Sequence, residues 1–442
     1  MRKVLILGAG LVAKPMVEYL LDNCFRLTVA SPMKPRAEEM IKGNPHGDAI
    51  DWSMDDPVTL EKLVGEHDLT VSLLPYKFHY EVALVCIRQE RPLVTTSYVQ
   101  PEMQSLSVAA KKAGIILLNE IGLDPGIDHM SAMRLIDRVH KKGGKVEKFY
   151  SLCGALPAPE AADNPLKYKF SWSPKGVILA SRNSALYIRD GKKVYIEPEN
   201  LFKDRFEKTI PEIGTLDVYP NRDSISYVNI YGIPEATTVY RGTFRYKGWC
   251  ETLDVMKSLN MLDDASIDYS GKTFAEFIAE RSGLSISDDL KKSLSIKLGL
   301  PANCVAFKSF EWLGLFSQEK MGYYVTTPFE ITSNLMIRKM PLAENERDMV
   351  LLQHIIDASY PDGRKENIIS SMIDFGSPST NTSISRTVAL PAAIAVRMIL
   401  EKEIDLTGVY RPVVPEIYNP VLNELETLGI KMTEEVFEQD RR

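Results

Sequence analysis

The stretch KVLILGAGLVA, residues 3–13, opens with a continuous apolar run and closes on glycines and an alanine. An unbroken run of Val, Leu and Ile suits a strand buried on both faces, as in a parallel sheet. GAGLVA then reads as GxGxxA between that strand and a helix predicted over 11–22. Its first glycine permits a tight turn, the second lets the backbone approach a pyrophosphate, and the small third residue packs helix on sheet. The helix N-terminus offers free N–H groups and a positive dipole end to phosphates. Alone, such a turn is equally a structural one. Its place at the head of an alternating series points to nucleotide binding.

That series continues with strands predicted over 26–31, 49–51, 69–74, 93–95 and 115–118. Helices at 38–42, 58–65, 78–88 and 101–114 separate them. Six strands with short crossovers imply a doubly wound parallel sheet, a Rossmann arrangement in the α/β class. Near residue 120 the rhythm changes. Strand-like segments mix with Pro-, Asn- and Gly-rich loops over 145–243, and 249–320 turns mostly helical. Strands return at 349–356 and 367–375, followed by a helix over 387–402 and a tail with one more helix, 420–428.

A chain of 442 residues is too long for one ordinary core. Apolar residues at 45% and charged residues at 25% match soluble globular usage and argue against disorder. The net charge of -6 gives no case for a nucleic-acid partner. Five scattered cysteines without a CxxC pair indicate neither a disulfide framework nor a zinc site. No apolar run is read as long enough to span a membrane, and the N-terminus does not resemble a signal peptide. The expected location is therefore the cytoplasm.

NAD proteins place a carboxylate at the end of the second strand. Here ASPMKPR (30–36) has none, while Ser31, Lys34 and Arg36 suit a 2′-phosphate, so NADP is expected, with NAD the alternative. Solvated surface side chains are the plainer account. SLLP (72–75) and TTSY (95–98) end the fourth and fifth strands, where hydroxyls either face the cleft or cap the next turn. NEIGLDPGIDHM (119–130) starts the next helix, with Asp124 expected as N-cap and Pro125 at the first helical position. Glu120 and Asp128 are expected to be ordinary helix-start acids, and His129 a helix-surface group. A long polar and aromatic loop is expected over 150–177, with Cys153 at a strand end. YPNRDS (219–224) and YRGTFRY (240–246) supply Arg222, Arg241 and Arg245, which suit either carboxylates or surface salt bridges.

GLDPGIDHM, CGALPAPEAADNPLKYKFSWSPKGV (153–177), YPNRDS and RGTFRY together resemble the saccharopine reductase family, the glutamate-forming saccharopine dehydrogenases of lysine metabolism. The likeness runs from about residue 3 to 428. It implies a Rossmann domain (1–122), an α/β substrate-binding and dimerisation domain (123–248 and 321–385), a helical insert (249–320), and a C-terminal segment (386–442) returning to the Rossmann domain. A homodimer follows, as does interconversion of saccharopine with L-glutamate and L-2-aminoadipate 6-semialdehyde. The partner is then a small molecule, with no membrane and no metal. Pro32 stands where animal NAD-using members show Asp and fungal NADP-using members show Arg, so cofactor preference rests on Lys34 and Arg36. GALPAPE replaces the GGLPAPE of many relatives.

The resemblance further implies Asp124, Cys153 and Tyr98 as catalytic or substrate-side residues, with His129 in reserve. Arg222 and Arg245 become carboxylate clamps, with Ser97, Tyr98 and Thr243 as lesser contacts. Cofactor contacts fall at Gly8, Gly10, Leu11, Val12 and Ala13, then at Ser31, Lys34 and Arg36. Leu74, Pro75, Thr96, Leu123, Pro125, Gly126 and Ser173 complete them. Two rivals share these features: a carboxynorspermidine-type reductive-condensation synthase, and a non-catalytic nucleotide-binding relative.

Overall fold

The computed structural model describes residues 1–286, 289–378 and 380–439. It is an α/β protein that divides into two compact units. The first is Met1–Ser151, Asn229–Glu235 and Leu352–Arg442; the second is Leu152–Val228 and Ala236–Leu351.

The first unit carries a seven-stranded sheet. Its order is Gly408–Tyr410, Ile116–Leu118, Leu93–Thr95, Leu69–Ser72, Lys3–Leu7, Arg26–Ala30, Gly47–Ile50, and every pairing is parallel. Strand order reverses between Lys3–Leu7 and Leu69–Ser72, the switch point where a doubly wound sheet opens its cleft. Val4 to Leu7 are fully buried, as the apolar run requires. The six expected strands form. The seventh, Gly408–Tyr410, and a further strand, Thr433–Gln439, lie in the tail that the sequence showed only as helix. Three residues are too few to display a period, and TEEVFEQ carries only two apolar residues.

One expectation about membranes is corrected. Helix Ser383–Leu400 is long and apolar enough to cross a bilayer, but 83% of it is buried within the protein. It packs against helix Lys14–Asp22, helix Pro415–Thr427 and the parallel sheet, as a core helix does.

The second sheet has nine strands. Its main path runs Phe206–Ile210, Gly214–Pro220, Thr238–Tyr246, Lys145–Pro157, Asp348–Ser359, Lys365–Phe375, Thr433–Gln439. The loop expected over 150–177 is shorter than the sequence suggested, because the strand Lys145–Pro157 runs on through CGALP. In the second unit, Gly214–Pro220 and Thr238–Tyr246 pair antiparallel, with Asp217 opposite Arg245 and Tyr219 opposite Thr243. Helices Trp249–Ser258, Phe274–Ser282, Leu290–Leu298 and Val305–Leu313 fill the stretch expected to be helical. Their ends are written in the chain. Thr273 and Glu276 form a capping box, while Gly283, Gly299 and Gly314 close three helices in the left-handed region.

Candidate active site

The glycine-rich turn separates two jobs. Gly8 has φ +107, and a Cβ there would lie 3.2 Å from the Leu73 carbonyl oxygen, so this glycine serves the turn. A Cβ on Gly10 would meet nothing within 4 Å, which leaves room for a ligand against the backbone. Ala13 is fully buried beneath helix Lys14–Asp22. That helix has no side-chain cap among the described residues and no acid in its first turn, so its positive end stays open. Leu11 is half exposed beside it, and Val12 partly so. This arrangement fits a dinucleotide's pyrophosphate.

At the next strand end, Ser31 is buried and its Oγ accepts from the Met33 N–H at 3.1 Å. Lys34 and Arg36 open helix Lys34–Ile41, which again lacks a first-turn acid. Lys34 lies 3.6 Å from Glu38, and both are solvated. These are the cations available to a 2′-phosphate. Leu74, Pro75 and Thr96 follow the ends of strands Leu69–Ser72 and Leu93–Thr95, none of them fully buried.

The strand-end hydroxyls are gathered by a residue that the sequence reading missed. His79 faces Ser72 Oγ through Nδ1 at 2.9 Å, and Ser97 Oγ and Thr95 Oγ1 through Nε2 at 2.8 and 3.1 Å. Burial pulls its pKa down to about 4, so the ring stays neutral near pH 7. One signal was available: His79 shares a helical stripe with buried Val82, Ala83 and Cys86, an odd place for a polar side chain.

In the segment 119–130 the structure overturns the expectations for Asp124, Glu120 and His129. The helix spans Ile127–Lys141 with Gly126 as N-cap, not Asp124. Asp124–Pro125 is a cis bond inside a turn closed by Gly122 N–H to Pro125 O, 2.9 Å, and Ile127 N–H to Gly122 O, 2.8 Å. Asp128 does the capping, its Oδ1 accepting from Gly126 and His129 N–H. Asp124 is thus left to accept from the Tyr98 hydroxyl at 2.7 Å. Leu123, Pro125 and Gly126 are buried around it. His129 is no surface group: it is fully buried, between Glu120 Oε2 at 2.7 Å and the Tyr231 hydroxyl at 2.8 Å. Glu120 is buried as well. Burial pushes its pKa up, but bonds and charge from His129 and Arg411 prevail and hold it below the usual carboxylate range.

The second unit assembles a different set. Along Thr238–Tyr246, Arg241, Thr243 and Arg245 alternate onto one strand face. Arg245 is only 6% exposed and forms no ion pair with any described carboxylate. Among the described residues its guanidinium donates one hydrogen bond, to the neighbouring Phe244 carbonyl, and its Nε is unsatisfied. Tyr168 and Trp249 wall it, with ring centres 5.0 and 5.6 Å from the guanidinium carbon. Tyr168 Oη, Trp172 Nε1 and Trp249 Nε1 are also buried without a hydrogen-bond partner. Burial raises the Tyr168 pKa, partly offset by Arg245. Cys153 is buried.

Arg241 differs: it bonds the Tyr227 hydroxyl at 2.9 Å and stacks over that ring at 4.4 Å, both within the fold. Both arginines are buried, so neither is the surface side chain that the sequence allowed. Arg222 is exposed with φ +52, and Ser173 is exposed before helix Pro174–Ala180. Sequence reasoning assigned Tyr168, Trp172 and Trp249 no role. Their signal was aromatic density around an arginine strand.

The saccharopine dehydrogenase NADP binding domain matches residues 4–118, and the saccharopine dehydrogenase C-terminal domain matches residues 122–430. The chain belongs to the saccharopine dehydrogenase family. It is 38% identical to saccharopine dehydrogenase [NADP(+), L-glutamate-forming] of Schizosaccharomyces pombe, over 100% of both chains. To the Saccharomyces cerevisiae enzyme of the same name it is 39% identical, covering 98% of this chain and 99% of that one. The bovine mitochondrial alpha-aminoadipic semialdehyde synthase is 36% identical over 98% of this chain but 47% of its own length. The structure of apo saccharopine dehydrogenase (L-Glu forming) from Saccharomyces cerevisiae superposes with a TM-score of 0.91 at 37% identity, covering 99% and 100% of the two chains. Full-length similarity of this kind puts the fold of the family, and its NADP-binding domain, in this chain.

Proposed function

We propose that the chain is an NADP-dependent, L-glutamate-forming saccharopine dehydrogenase. It interconverts saccharopine with L-glutamate and L-2-aminoadipate 6-semialdehyde. The observation that carries this at the level of geometry is Arg245: a buried guanidinium with no counter-ion among the described residues is costly unless a ligand supplies one. A substrate with three carboxylates does so.

When bound, the nicotinamide supplies hydride to the imine carbon formed from amine and aldehyde, and takes it back in the reverse direction. The residues of the chain do the rest. Gly10, Ala13 and the open end of helix Lys14–Asp22 receive the pyrophosphate, and Lys34 and Arg36 the 2′-phosphate. Leu11, Val12, Ser31, Leu74, Pro75, Thr96, Leu123, Pro125, Gly126 and Ser173 complete that contact set. Arg245 and Arg222, with Thr243 and Ser97, hold the carboxylates. Tyr98 and Asp124 share a hydrogen bond through which the proton of the secondary amine leaves before hydride does. Cys153 serves as a weak donor. Holding carbon and nicotinamide in register accounts for roughly 7–11 kcal/mol of barrier lowering.

The four-part division set out from the sequence, a homodimer and a cytoplasmic location belong to the same proposal. The five cysteines, none of them in a disulfide, agree with a reducing compartment. The test is oxidation of saccharopine followed by nicotinamide absorbance, with NADP and NAD in parallel. Turnover favouring NADP is expected. Flat absorbance with saccharopine, alongside turnover of a diamine with aspartate semialdehyde, would hand the assignment to the synthase rival. Flat absorbance with every pair, despite tight NADPH binding, would make the chain a non-catalytic relative.

A further inference from the structure

Glu120 holds the chain on both sides of Tyr98. Its Oε1 accepts from the Val99 N–H at 2.8 Å, and its own N–H donates to the Ser97 carbonyl at 3.2 Å. The bracketed residue is the one whose hydroxyl meets Asp124. Glu120 is itself locked. Arg411 Nε donates to Oε1 at 2.8 Å, and His129 Nε2 faces Oε2 at 2.7 Å. The far side of His129 is fixed by the Tyr231 hydroxyl at 2.8 Å, with the two rings edge to face at 5.7 Å. Glu120, His129 and Tyr231 are each at most 2% exposed. The backbone at Glu120 sits at φ +59, which a non-glycine residue keeps only where its surroundings enforce it.

We propose that Glu120, locked by His129, Tyr231 and Arg411, is a positioning residue that sets Tyr98 against Asp124. This rests on Tyr98 and Asp124 as the proton-handling pair proposed above. Glu120 acts on the chemistry through Tyr98. An ion pair kept merely for stability has no reason to hold the peptide N–H that follows one tyrosine while its own main chain holds the carbonyl before it. A carboxylate that holds the Val99 amide, beside the backbone bond to Ser97, limits the freedom of that segment, and misplacement of a reacting group by about 1 Å costs on the order of 100-fold in rate.

The test is a double-mutant cycle on the full chain, reading kcat and KM for saccharopine oxidation with NADP together with thermal melting. The variants are Glu120→Gln, Tyr231→Phe and Tyr98→Phe, singly and with each of the first two combined with the third. Tyr231→Phe removes one hydroxyl from the lock and leaves the ring packed, so it remains informative if Glu120→Gln folds poorly. Glu120→Gln and Tyr231→Phe should lower kcat by roughly 10- to 100-fold while KM stays within about twofold. With Tyr98→Phe already present, each should cost less than about threefold, because residues acting through one group are not additive. Unchanged kcat in the single variants, or the full penalty retained beside Tyr98→Phe, overturns the positioning role. A Tyr98→Phe enzyme with wild-type kcat overturns the proton-pair reading instead.

Discussion

Glu120 in the first unit and Arg245 in the second are both buried charges, and the protein treats them in opposite ways. Glu120 has a cation, an imidazole and a backbone N–H on its two oxygens. Arg245 has aromatic walls, one backbone carbonyl and an unsatisfied Nε. A charge taken out of water costs several kcal/mol even after relaxation, so each arrangement needs an account. For Glu120 the fold supplies the compensation, which marks a fixed part of the scaffold. For Arg245 no described carboxylate supplies it, which supports the anion site proposed above.

The contrast breaks first at Arg245. Arg245→Met should lower kcat/KM for saccharopine by about 30- to 5000-fold, the equivalent of about 2–5 kcal/mol for truncating one side of a buried charge pair. Affinity for NADP, read by calorimetry, should hold. Without substrate the variant should melt at the wild-type temperature or above it, because an uncompensated buried charge has been exchanged for an apolar side chain of similar length. A Met variant that unfolds early would show that Arg245 belongs to the scaffold after all.

Glu120→Leu should do the reverse and cost about 3–5 kcal/mol of stability in urea unfolding, because it strands His129 and Arg411. The acid side has a definite sign. The folded-state pKa of Glu120 is lowered, so its contribution is present above the ordinary value of 4.5 and is lost as pH falls below it. The wild-type loss of stability below that pH should therefore be steeper than that of Glu120→Leu. Parallel slopes would mean that Glu120 is not held ionised by its partners.

How much of this was legible in the sequence follows from the same difference. The parallel sheet and GAGLVA were readable because continuous apolar runs and a glycine pattern are local. Arg245 and Tyr98 were readable as motif letters. Their circumstances were not, because burial and the absence of a counter-ion depend on strands distant in sequence. Glu120 and His129 were misjudged for that reason: nine residues apart, they resemble a helix start, and the partners that bury them come from residues 231 and 411. Asp124 was misjudged differently. The sequence Asp-Pro before an apolar stripe carries an N-cap signature, yet Gly126 and Asp128 took that work. The strands Gly408–Tyr410 and Thr433–Gln439 form by pairing with partners far along the chain, not by local pattern.

The division between scaffold and ligand groups recurs within a single turn, at a smaller scale. Gly8→Ala should cost about 1–3 kcal/mol of stability, since φ +107 and the Leu73 carbonyl at 3.2 Å both oppose a side chain. Gly10→Val should leave the melting temperature near wild type and weaken NADP by roughly 10- to 100-fold, as one or two charge-assisted bonds to phosphate are lost. Titration of each variant with NADP, beside its thermal melt, separates the two. Equal losses of stability would mean that Gly10 also serves the turn.

The smallest effect is expected at the cofactor's adenosine end, where charge is neither buried nor compensated by the fold. Lys34 and Arg36 stand on the solvated start of helix Lys34–Ile41, and Lys34 lies near Glu38, one turn on. Such exposed pairs contribute little to stability, so replacing both by alanine should not move the melting temperature. A 2′-phosphate, by contrast, gains a hydrogen-bonding cation from each. The double variant should therefore lose roughly tenfold in NADP affinity, with NAD affinity unchanged. Because Pro32 carries neither an acid to favour NAD nor a cation to favour NADP, the NADP-to-NAD ratio is expected to rest first on Lys34 and Arg36. A ratio that survives the double substitution would move discrimination to Ser31, whose hydroxyl already accepts from the Met33 N–H and keeps its proton to donate to a phosphate oxygen.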